Sequence, residues 1–219
     1  MKKNLTELVF ILDRSGSMSG LESDTIGGFN SMLEKQKSEA GEALVTTVLF
    51  DDRYEMIHDR FRMELVKPLT RKEYYARGCT ALLDAMGRTI EKLISVQKYL
   101  PEEEQAEKVI FVIITDGMEN SSREYSYRKI REMVRQQKEK FGWEFIFLGA
   151  NMDAVAEAER FGIEEDRAVT FANDRRGVRL NYRVMTETIS EMRACAPSAR
   201  VGGKWKKEIE ENFQEREEL

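Results

Sequence analysis

Residues 8–17 read Leu8-Val9-Phe10-Ile11-Leu12-Asp13-Arg14-Ser15-Gly16-Ser17, an apolar run that ends in an acidic residue and two serines. The run is short, continuous and rich in β-branched and aromatic residues, which is typical of a β-strand covered on both faces. Runs of the same kind occupy residues 44–50, 109–114 and 145–148, with a weaker one at 168–172. The sequence therefore predicts a sheet of buried strands.

Segments with helical spacing separate the apolar runs. Residues 82–94 and 127–141 place apolar side chains on one helical face, and residues 26–33 do so less regularly. Strands that alternate with such helices imply parallel pairing with right-handed crossovers. Residues 54–66 alternate more strictly, which favours an antiparallel edge strand. The predicted class is α/β: a three-layer, doubly wound, Rossmann-like sandwich around a mostly parallel six-stranded sheet with one antiparallel edge strand.

The composition changes toward the C-terminus. Residues 181–185 begin a predicted final helix, after which Pro197 and Gly202-Gly203 break the chain. The charged segment beyond carries an apolar residue at every fourth position: Trp205, Ile209 and Phe213. Such a stripe usually completes a core. We expect a domain over residues 1–193 and a charged, helical extension over 194–219 that folds back onto it.

Charge and cysteine content narrow the class of protein. With a formal net charge of -5 and 34% charged residues, the chain is mildly acidic and gives no electrostatic reason to expect nucleic acid as the ligand. Basic clusters at 174–179 and 204–207 are most simply solvated loops. The N-terminal apolar stretch is too short for a signal peptide or membrane span. Cys79 and Cys195 lack disulfide or zinc-site spacing. A cytoplasmic protein is expected.

Oxygen-bearing side chains follow two of the apolar runs. Asp13, Ser15 and Ser17 alternate along the chain and so point to one side, and Asp116 follows another run. Ligands of open α/β sheets bind at the carboxyl ends of strands, where strand order reverses. Oxygen ligands select a hard cation such as Mg²⁺ over zinc or copper. Taken alone, the Asp-Ser-Ser spacing occurs by chance in about one chain in twenty, and Asp116 could close a turn with Gly117.

Three segments together resemble a known metal site. Asp-x-Ser-x-Ser at 13–17 and Thr-Asp-Gly at 115–117 look like the metal-ion-dependent adhesion site of von Willebrand factor A domains. That family adds a threonine before a helix, and residues 78–85 resemble this loop. The resemblance spans roughly residues 5–193. Cys79 departs from the small residue that many members carry there, and we expect it to be a buried packing residue.

The resemblance implies a protein-binding site rather than a catalytic one. The implied metal ligands are Asp13, Ser15, Ser17, Thr80 and Asp116. In the family the hydroxyls touch the ion directly, and the carboxylates hold it directly or through water. Mg²⁺ (or Mn²⁺ or Ca²⁺) held in this way completes its coordination with an Asp or Glu of a protein partner. Prokaryotic relatives work beside an AAA-type ATPase or in a multi-protein complex, and residues 116–122 resemble stand-alone bacterial and phage members.

Two other functions fit parts of the pattern. A phosphatase or phosphotransferase of the haloacid dehalogenase type also places an Asp after its first strand, but needs a second acid where this chain has Ser15. Nucleophile-elbow, dinucleotide and P-loop motifs do not fit. The only histidine, His58, is expected to be exposed on the edge strand. An assembly subunit whose metal only stabilises the fold is the second alternative. No catalytic residue or organic cofactor is predicted.

Two loops are candidates for partner contacts at the same rim. They are residues 117–122 and 149–153, which follow two of the predicted strands. Asn120, Ser121 and Asp153 in these loops could equally serve only to cap helices.

Overall fold

A computed structural model describes residues 1–196, 199 and 201–217, so the predicted break at Pro197 lies outside the described residues. Within them, one sheet contains β1 (Lys2–Asp13), β2 (Glu42–Phe50), β3 (Tyr54–Arg62), β4 (Ala106–Thr115), β5 (Glu144–Ala150) and β6 (Ala168–Phe171). The strand order is β3-β2-β1-β4-β5-β6. Only β3 pairs antiparallel to its neighbour; the other pairings are parallel. The predicted fold class is confirmed.

Helices cover both faces of the sheet. They are α1 (Glu22–Lys37), α2 (Leu82–Tyr99), α3 (Tyr127–Phe141), α4 (Ala154–Phe161), α5 (Arg175–Ala194) and α6 (Lys207–Glu217). Leu8 and Phe10 of β1 enter the core shared with α1, α5 and α6, whereas Val9 and Ile11 enter the core shared with α2, α3 and α4. Both faces of β1 are thus apolar, because successive side chains point to opposite faces. No helix in the described ranges is long and apolar enough to cross a membrane.

The strand order reverses between β1 and β4. β1 pairs with β2 on one side and with β4 on the other, and Leu12 lies in register with Ile114. The carboxyl ends of the two central strands therefore stand level, with Asp13 at the end of one and Asp116 just beyond the other. This is the place where open α/β sheets bind ligands.

The final helix begins earlier than the sequence predicts. α5 starts at Arg175, so residues 174–179 are a helix cap and first turns rather than a solvated loop. The Asp174 side chain caps the helix by accepting from the backbone N–H groups of Arg176 and Gly177 at 2.8 and 2.9 Å. A Cβ atom at Gly177 would lie 2.0 Å from the Ala172 carbonyl oxygen, which explains a glycine inside a helix.

Two other expectations at the edge strand are wrong. β3 ends at Arg62 and a short 3-10 turn follows, so the strand does not reach residue 66. His58 is buried, with its Nδ1 3.0 Å from the Thr47 hydroxyl oxygen. The segment after β3 returns over the strand and brings the backbone of Lys67 within hydrogen-bond reach of the ring. Although β3 is an edge strand, only its hydrogen-bonding edge is open. The segment after β3 covers one face of the strand, and His58 lies under it.

The segment after α5 packs against the domain at β6. Ile209 of α6 is buried in the core shared with α1 and α5. Trp205 donates from Nε1 to the Asp166 carbonyl oxygen at 2.9 Å, and Lys206 donates to the Ala168 carbonyl oxygen at 3.1 Å. The accepting carbonyl groups lie in the edge strand β6 and just before it. Without these contacts they would be free to pair with another strand.

Candidate metal centre

The loop after β1 is held on two sides. The Asp13 carboxylate accepts from the Ser15 backbone N–H at 2.6 Å, which bends the chain back on itself. Gly16 donates its N–H to the Gly78 carbonyl oxygen at 3.1 Å, and Gly78 has a φ of +68°, a conformation that favours glycine. The buried Tyr74 hydroxyl donates to the Asp13 main-chain oxygen at 2.5 Å. The loops at 13–18 and 74–80 therefore lie against each other.

The five residues singled out by the sequence lie together. The hydroxyl oxygens of Ser15 and Ser17 are 3.0 Å apart, and Ser17 donates to the Asp116 carboxylate at 2.5 Å. A Cβ atom at Gly117 would lie 3.1 Å from Thr80 Oγ1 and 3.4 Å from Ser17 Oγ, so both hydroxyls stand beside this residue. Four of the five are buried: Asp13, Ser15, Thr80 and Asp116. Ser17 is exposed and opens the cluster to solvent.

The position of Thr80 is fixed by its backbone. Asn120 accepts from the Thr80 N–H through its side-chain oxygen at 3.0 Å and donates its own N–H to the Thr80 carbonyl at the same distance. The next residue, Ala81, donates its N–H to the Asp51 carbonyl oxygen at 2.9 Å. The loop before α2 is thus tied both to the loop after β4 and to the end of β2.

The two carboxylates lack a positive partner. Burial raises the pKa of Asp13 to about 6, although Thr115 and Ser15 donate hydrogen bonds to it. The nearby charge of Asp116 adds to this rise, and burial raises the pKa of Asp116 as well. Their hydrogen-bond donors are hydroxyls, a backbone N–H and an amide, and within the described residues no Lys or Arg pairs with either. Two buried acids side by side without a cation are costly.

The donor set fits a hard divalent cation. Three hydroxyl oxygens and two carboxylates converge on one rim, and hard cations take oxygen ligands. No group of three His, Cys, Asp or Glu side chains in the described part of the chain is placed to hold a metal. Any ion at this rim would therefore depend on the hydroxyls as well as on the two acids. A cation here would offset the burial cost of both carboxylates.

Comparisons with known proteins place this fold. No protein-family model matches the sequence, and no curated protein matches it. Among solved structures, proximal thread matrix protein 1 of the mussel byssus, with zinc in its MIDAS motif, is 15% identical over 84% of this chain, with a TM-score of 0.56. The ArnB paralog VWA2 from Sulfolobus acidocaldarius is 16% identical over 85%, with a TM-score of 0.53. A von Willebrand factor type A structure from Catenulispora acidiphila is 13% identical over 83%, also at 0.53.

This chain has the von Willebrand factor A fold. It spans less than half of the three proteins it matches: 46% of the mussel chain, 45% of the Sulfolobus chain and 41% of the Catenulispora chain. The similarity covers most of this chain. It supports a shared fold and says nothing of the activity of the longer proteins.

At the rim of this von Willebrand factor A fold, several polar loop residues have structural roles. Asp153 caps α4 by accepting from the Ala156 N–H at 3.0 Å, and Asn120 holds Thr80. By contrast, Met118 is 57% exposed directly after the Asp116-Gly117 turn. Cys79 is exposed rather than buried, contrary to expectation, because it lies where the loop before α2 faces solvent.

The residues that support the von Willebrand factor A rim from behind do not stand out in the sequence. Thr115 donates to the Asp13 carboxylate at 2.6 Å, and Asn173 donates to the Asp116 carboxylate at 3.1 Å. Asn151 donates to the Asp116 main-chain oxygen at 3.1 Å. Thr115 could have been found beside Asp116 in the motif. The asparagines follow β5 and β6, and only the strand order brings them to Asp116.

Proposed function

We propose that this chain is a metal-dependent protein-interaction module. The proposed ligands of an Mg²⁺ ion are Asp13, Ser15, Ser17, Thr80 and Asp116. A protein partner supplies an Asp or Glu carboxylate that completes the coordination. The observation that carries this proposal is the pair of buried carboxylates, without a cation, beside three hydroxyl oxygens at the reversal of strand order.

The chain's own residues prepare this rim for an ion. Thr115 and the Ser15 N–H fix the Asp13 carboxylate from two sides, and Asn173 fixes that of Asp116. The bound ion supplies an attachment point for one more hard oxygen. Because the three hydroxyls carry no charge, the chain offers a divalent ion only the charges of its two carboxylates, and an oxygen of a partner's Asp or Glu would complete the coordination. Exposed Ser17 marks the side from which this acid approaches.

Binding without catalysis is the favoured role. The haloacid dehalogenase alternative needs a second acid two residues after Asp13; that residue is Ser15, whose hydroxyl lies against Ser17. An intracellular role is supported by Cys79 and Cys195, which are both free thiols. A bacterial or phage source and a partner that is an AAA-type ATPase or a multi-protein complex are proposals that rest on the sequence resemblance alone.

Calorimetric titration with Mg²⁺, Mn²⁺, Ca²⁺ and Zn²⁺ tests the metal. We include Zn²⁺ because the mussel structure holds it in its MIDAS motif. The wild type is expected to take up Mg²⁺, and Asp13→Ala to take up none. Asp52→Ala is the matched control, because it removes a nearby exposed acid outside the cluster. Equal uptake by wild type and Asp13→Ala would refute the site.

Affinity capture from a lysate of the source cells tests the binding role. Wild type in Mg²⁺ is expected to retain a partner that is lost in chelator and is not retained by Asp13→Ala. A partner held equally under all three conditions would show that the metal, if bound, only stabilises the fold. Turnover of generic phosphate esters by the wild type, lost in Asp13→Ala, would instead establish the enzyme alternative.

A further inference from the structure

Two segments that carry candidate metal ligands are joined by carboxylates that lie outside the ligand set. Asp116 is followed by residues 117–125, which we call the β4 loop, and Thr80 is followed by the first turn of α2. Glu119 lies in the β4 loop, and Asp84 lies in the first turn of α2. Neither residue is a proposed ligand, yet each one binds the backbone of the opposite segment.

Glu119 binds the backbone of both segments. Its carboxylate accepts from the Leu83 N–H of α2 at 2.9 Å. Within the β4 loop it accepts from the N–H groups of Ser121 and Ser122 at 2.9 and 2.8 Å and from the Ser122 hydroxyl at 2.7 Å. The Ser122 hydroxyl oxygen in turn accepts from the Asp84 N–H at 3.0 Å. The β4 loop thereby caps two N–H groups at the start of α2 that have no partner within the helix.

Asp84 makes the opposite contact, from α2 to the β4 loop. Its carboxylate accepts from the N–H groups of Arg123, Glu124 and Tyr125 at 2.9, 2.9 and 3.0 Å. Hydrogen bonds from backbone N–H groups to a carboxylate are among the strong ones. The Tyr125 ring also lies against Gly87 of α2, where an added Cβ atom would come within 2.3 Å of the ring. The β4 loop is therefore bound to α2 near its start and at its end.

The place of these contacts in the chain matters for the metal centre. Glu119 lies three residues after the candidate ligand Asp116. Its donor Leu83 lies three residues after the candidate ligand Thr80. The hydrogen bond between them, together with the Asn120 bonds to Thr80, fixes the space between the two ligands before an ion enters. Outer contacts of this kind orient the groups that touch a metal.

We propose that Asp84 and Glu119 are positioning residues that make the centre select Mg²⁺ over Ca²⁺. This rests on the proposed function. Mg²⁺ needs nearly octahedral contacts at about 2.0–2.1 Å, whereas Ca²⁺ takes about six to eight oxygens at about 2.3–2.6 Å in flexible geometry. A spacing held by both carboxylates resists widening for the larger ion. Loosening their contacts therefore weakens Mg²⁺ binding more than Ca²⁺ binding.

Calorimetric titration of Mg²⁺ and of Ca²⁺ into the metal-free protein measures this selectivity. Glu119→Ala and Asp84→Ala are each expected to weaken Mg²⁺ binding on the order of tenfold, as the loss of outer contacts at a metal site typically does. Ca²⁺ binding should weaken less, so the ratio of the two affinities falls. Both changes remove a negative charge near the ion, but that loss acts alike on two divalent ions and cancels in the ratio.

Two further variants keep part of the contact or change no charge. Glu119→Gln should recover part of the ratio, because it keeps a carbonyl oxygen for the N–H groups of the β4 loop. Gly87→Ala places a methyl group against the Tyr125 ring, so it should lower the ratio. Gly27→Ala is the matched control, since Gly27 lies inside α1 but an added Cβ atom there meets no neighbouring element of the described chain within 4 Å. It should keep the wild-type ratio.

Amide hydrogen exchange in chelator tests whether the spacing is set before an ion enters. In the metal-free wild type, the N–H groups of Leu83 and of residues 123–125 are expected to exchange slowly. The Leu83 amide should exchange faster in Glu119→Ala, and the amides of 123–125 should exchange faster in Asp84→Ala. Circular dichroism of every variant checks that the fold is retained.

This inference and the proposed function fail separately. If both alanine variants lose Mg²⁺ and Ca²⁺ affinity by the same factor, or if Glu119→Gln and Gly87→Ala both keep the wild-type ratio, the positioning role is overturned while the metal site stands. Amides that stay unprotected until Mg²⁺ is added would overturn it as well. If the wild type takes up neither ion, the proposed function falls, and this inference with it.

Discussion

Buried acids at two places on the same edge of the sheet differ in whether they have a positively charged partner. We compare the Asp51 group, which is Asp51 with its arginines, with the pair Asp13 and Asp116. Asp51, just beyond β2, is fully buried and accepts from Arg14 Nε at 2.9 Å and Arg77 Nε at 2.7 Å. Burial raises its pKa, but the hydrogen bonds from Arg77 and the Arg53 backbone together with the charge of Arg14 outweigh this and leave it lowered. Asp13, one strand away, has no arginine and its pKa is raised to about 6.

The contrast between Asp51 and Asp13 indicates that the fold does not prevent an arginine from pairing with an acid at this edge of the sheet. Arg14 is the next residue along the chain, yet its guanidinium turns to Asp51 and to the Glu73 carbonyl oxygen at 2.9 Å. A positively charged side chain thus lies next to Asp13 in sequence but pairs with a different acid. The acid cluster without an internal cation matches a site that takes its cation from solution.

The largest expected effect comes from removing the cation of the Asp51 group. Arg14 is fully buried, so Arg14→Met should lower the free energy of unfolding by about 3–5 kcal/mol, because Asp51 then keeps only Arg77. Urea denaturation in chelator at pH 8 measures it. Asp13→Asn under the same conditions should not lower stability but raise it, by on the order of 3 kcal/mol, because it removes a buried charge that has no cation.

The matched control for Arg14→Met is Arg135→Met, since Arg135 is exposed and its contact with Glu139 is 3.9 Å long. No measurable loss of stability is expected there. If Asp13→Asn cost as much as Arg14→Met in the absence of metal, Asp13 would have a positive partner after all, and the contrast between the two acid groups would be wrong.

Much of the fold could be predicted because β1 is covered on both faces. A continuous apolar run such as residues 8–12 has few alternatives, and the helices between the runs require parallel crossovers. The start of α5 cannot be recognised in the sequence, because Arg175-Arg176-Gly177 looks like a solvated turn. Its helical state depends on the Asp174 cap and on the close approach of Ala172.

That the five candidate residues lie together could be predicted from the resemblance of three segments to one known site, since Asp13 and Asp116 stand at strand ends and the resemblance adds Thr80. Their support could not, since it comes from contacts between distant parts of the chain. Arg14 gives one example: next to a metal motif it looks solvated, yet its acceptors lie at Asp51 and Glu73, far along the sequence. Tyr74 gives another, because nothing near it in sequence indicates that its hydroxyl reaches Asp13.

The two acid groups should also differ in how their contribution to stability depends on pH. Because the pKa of Asp13 rises from 3.8 to about 6 on folding, its contribution is present below pH 3.8 and is lost as pH rises through about 6. In chelator, wild type should therefore lose on the order of 3 kcal/mol relative to Asp13→Asn as the pH is raised from about 4 to about 7. Urea denaturation across this range measures the difference.

Added Mg²⁺ should cancel most of this loss. An ion that needs both carboxylates ionised stabilises the protein above about pH 6 and loses its effect as the pH falls through that value. At a hundredfold excess over its dissociation constant it should contribute about 2.7 kcal/mol. A wild-type curve in chelator that runs parallel to that of Asp13→Asn would mean that Asp13 titrates normally and needs no cation.

The smallest effect concerns two buried tyrosine hydroxyls near the same rim. Tyr74 donates to the Asp13 main-chain oxygen, whereas the Tyr182 hydroxyl is buried without a hydrogen-bond partner among the described residues. Tyr74→Phe should cost about 1–2 kcal/mol, because it leaves a buried carbonyl group without its donor. Tyr182→Phe should be neutral or slightly stabilising, because it removes an unsatisfied polar atom at nearly constant volume.

Thermal unfolding of both variants, with Mg²⁺ titration, provides the measurement. Only Tyr74→Phe should also weaken Mg²⁺ uptake, since only that hydroxyl holds the loop that presents Asp13; equal uptake by the two variants would show that the loop keeps its shape without Tyr74.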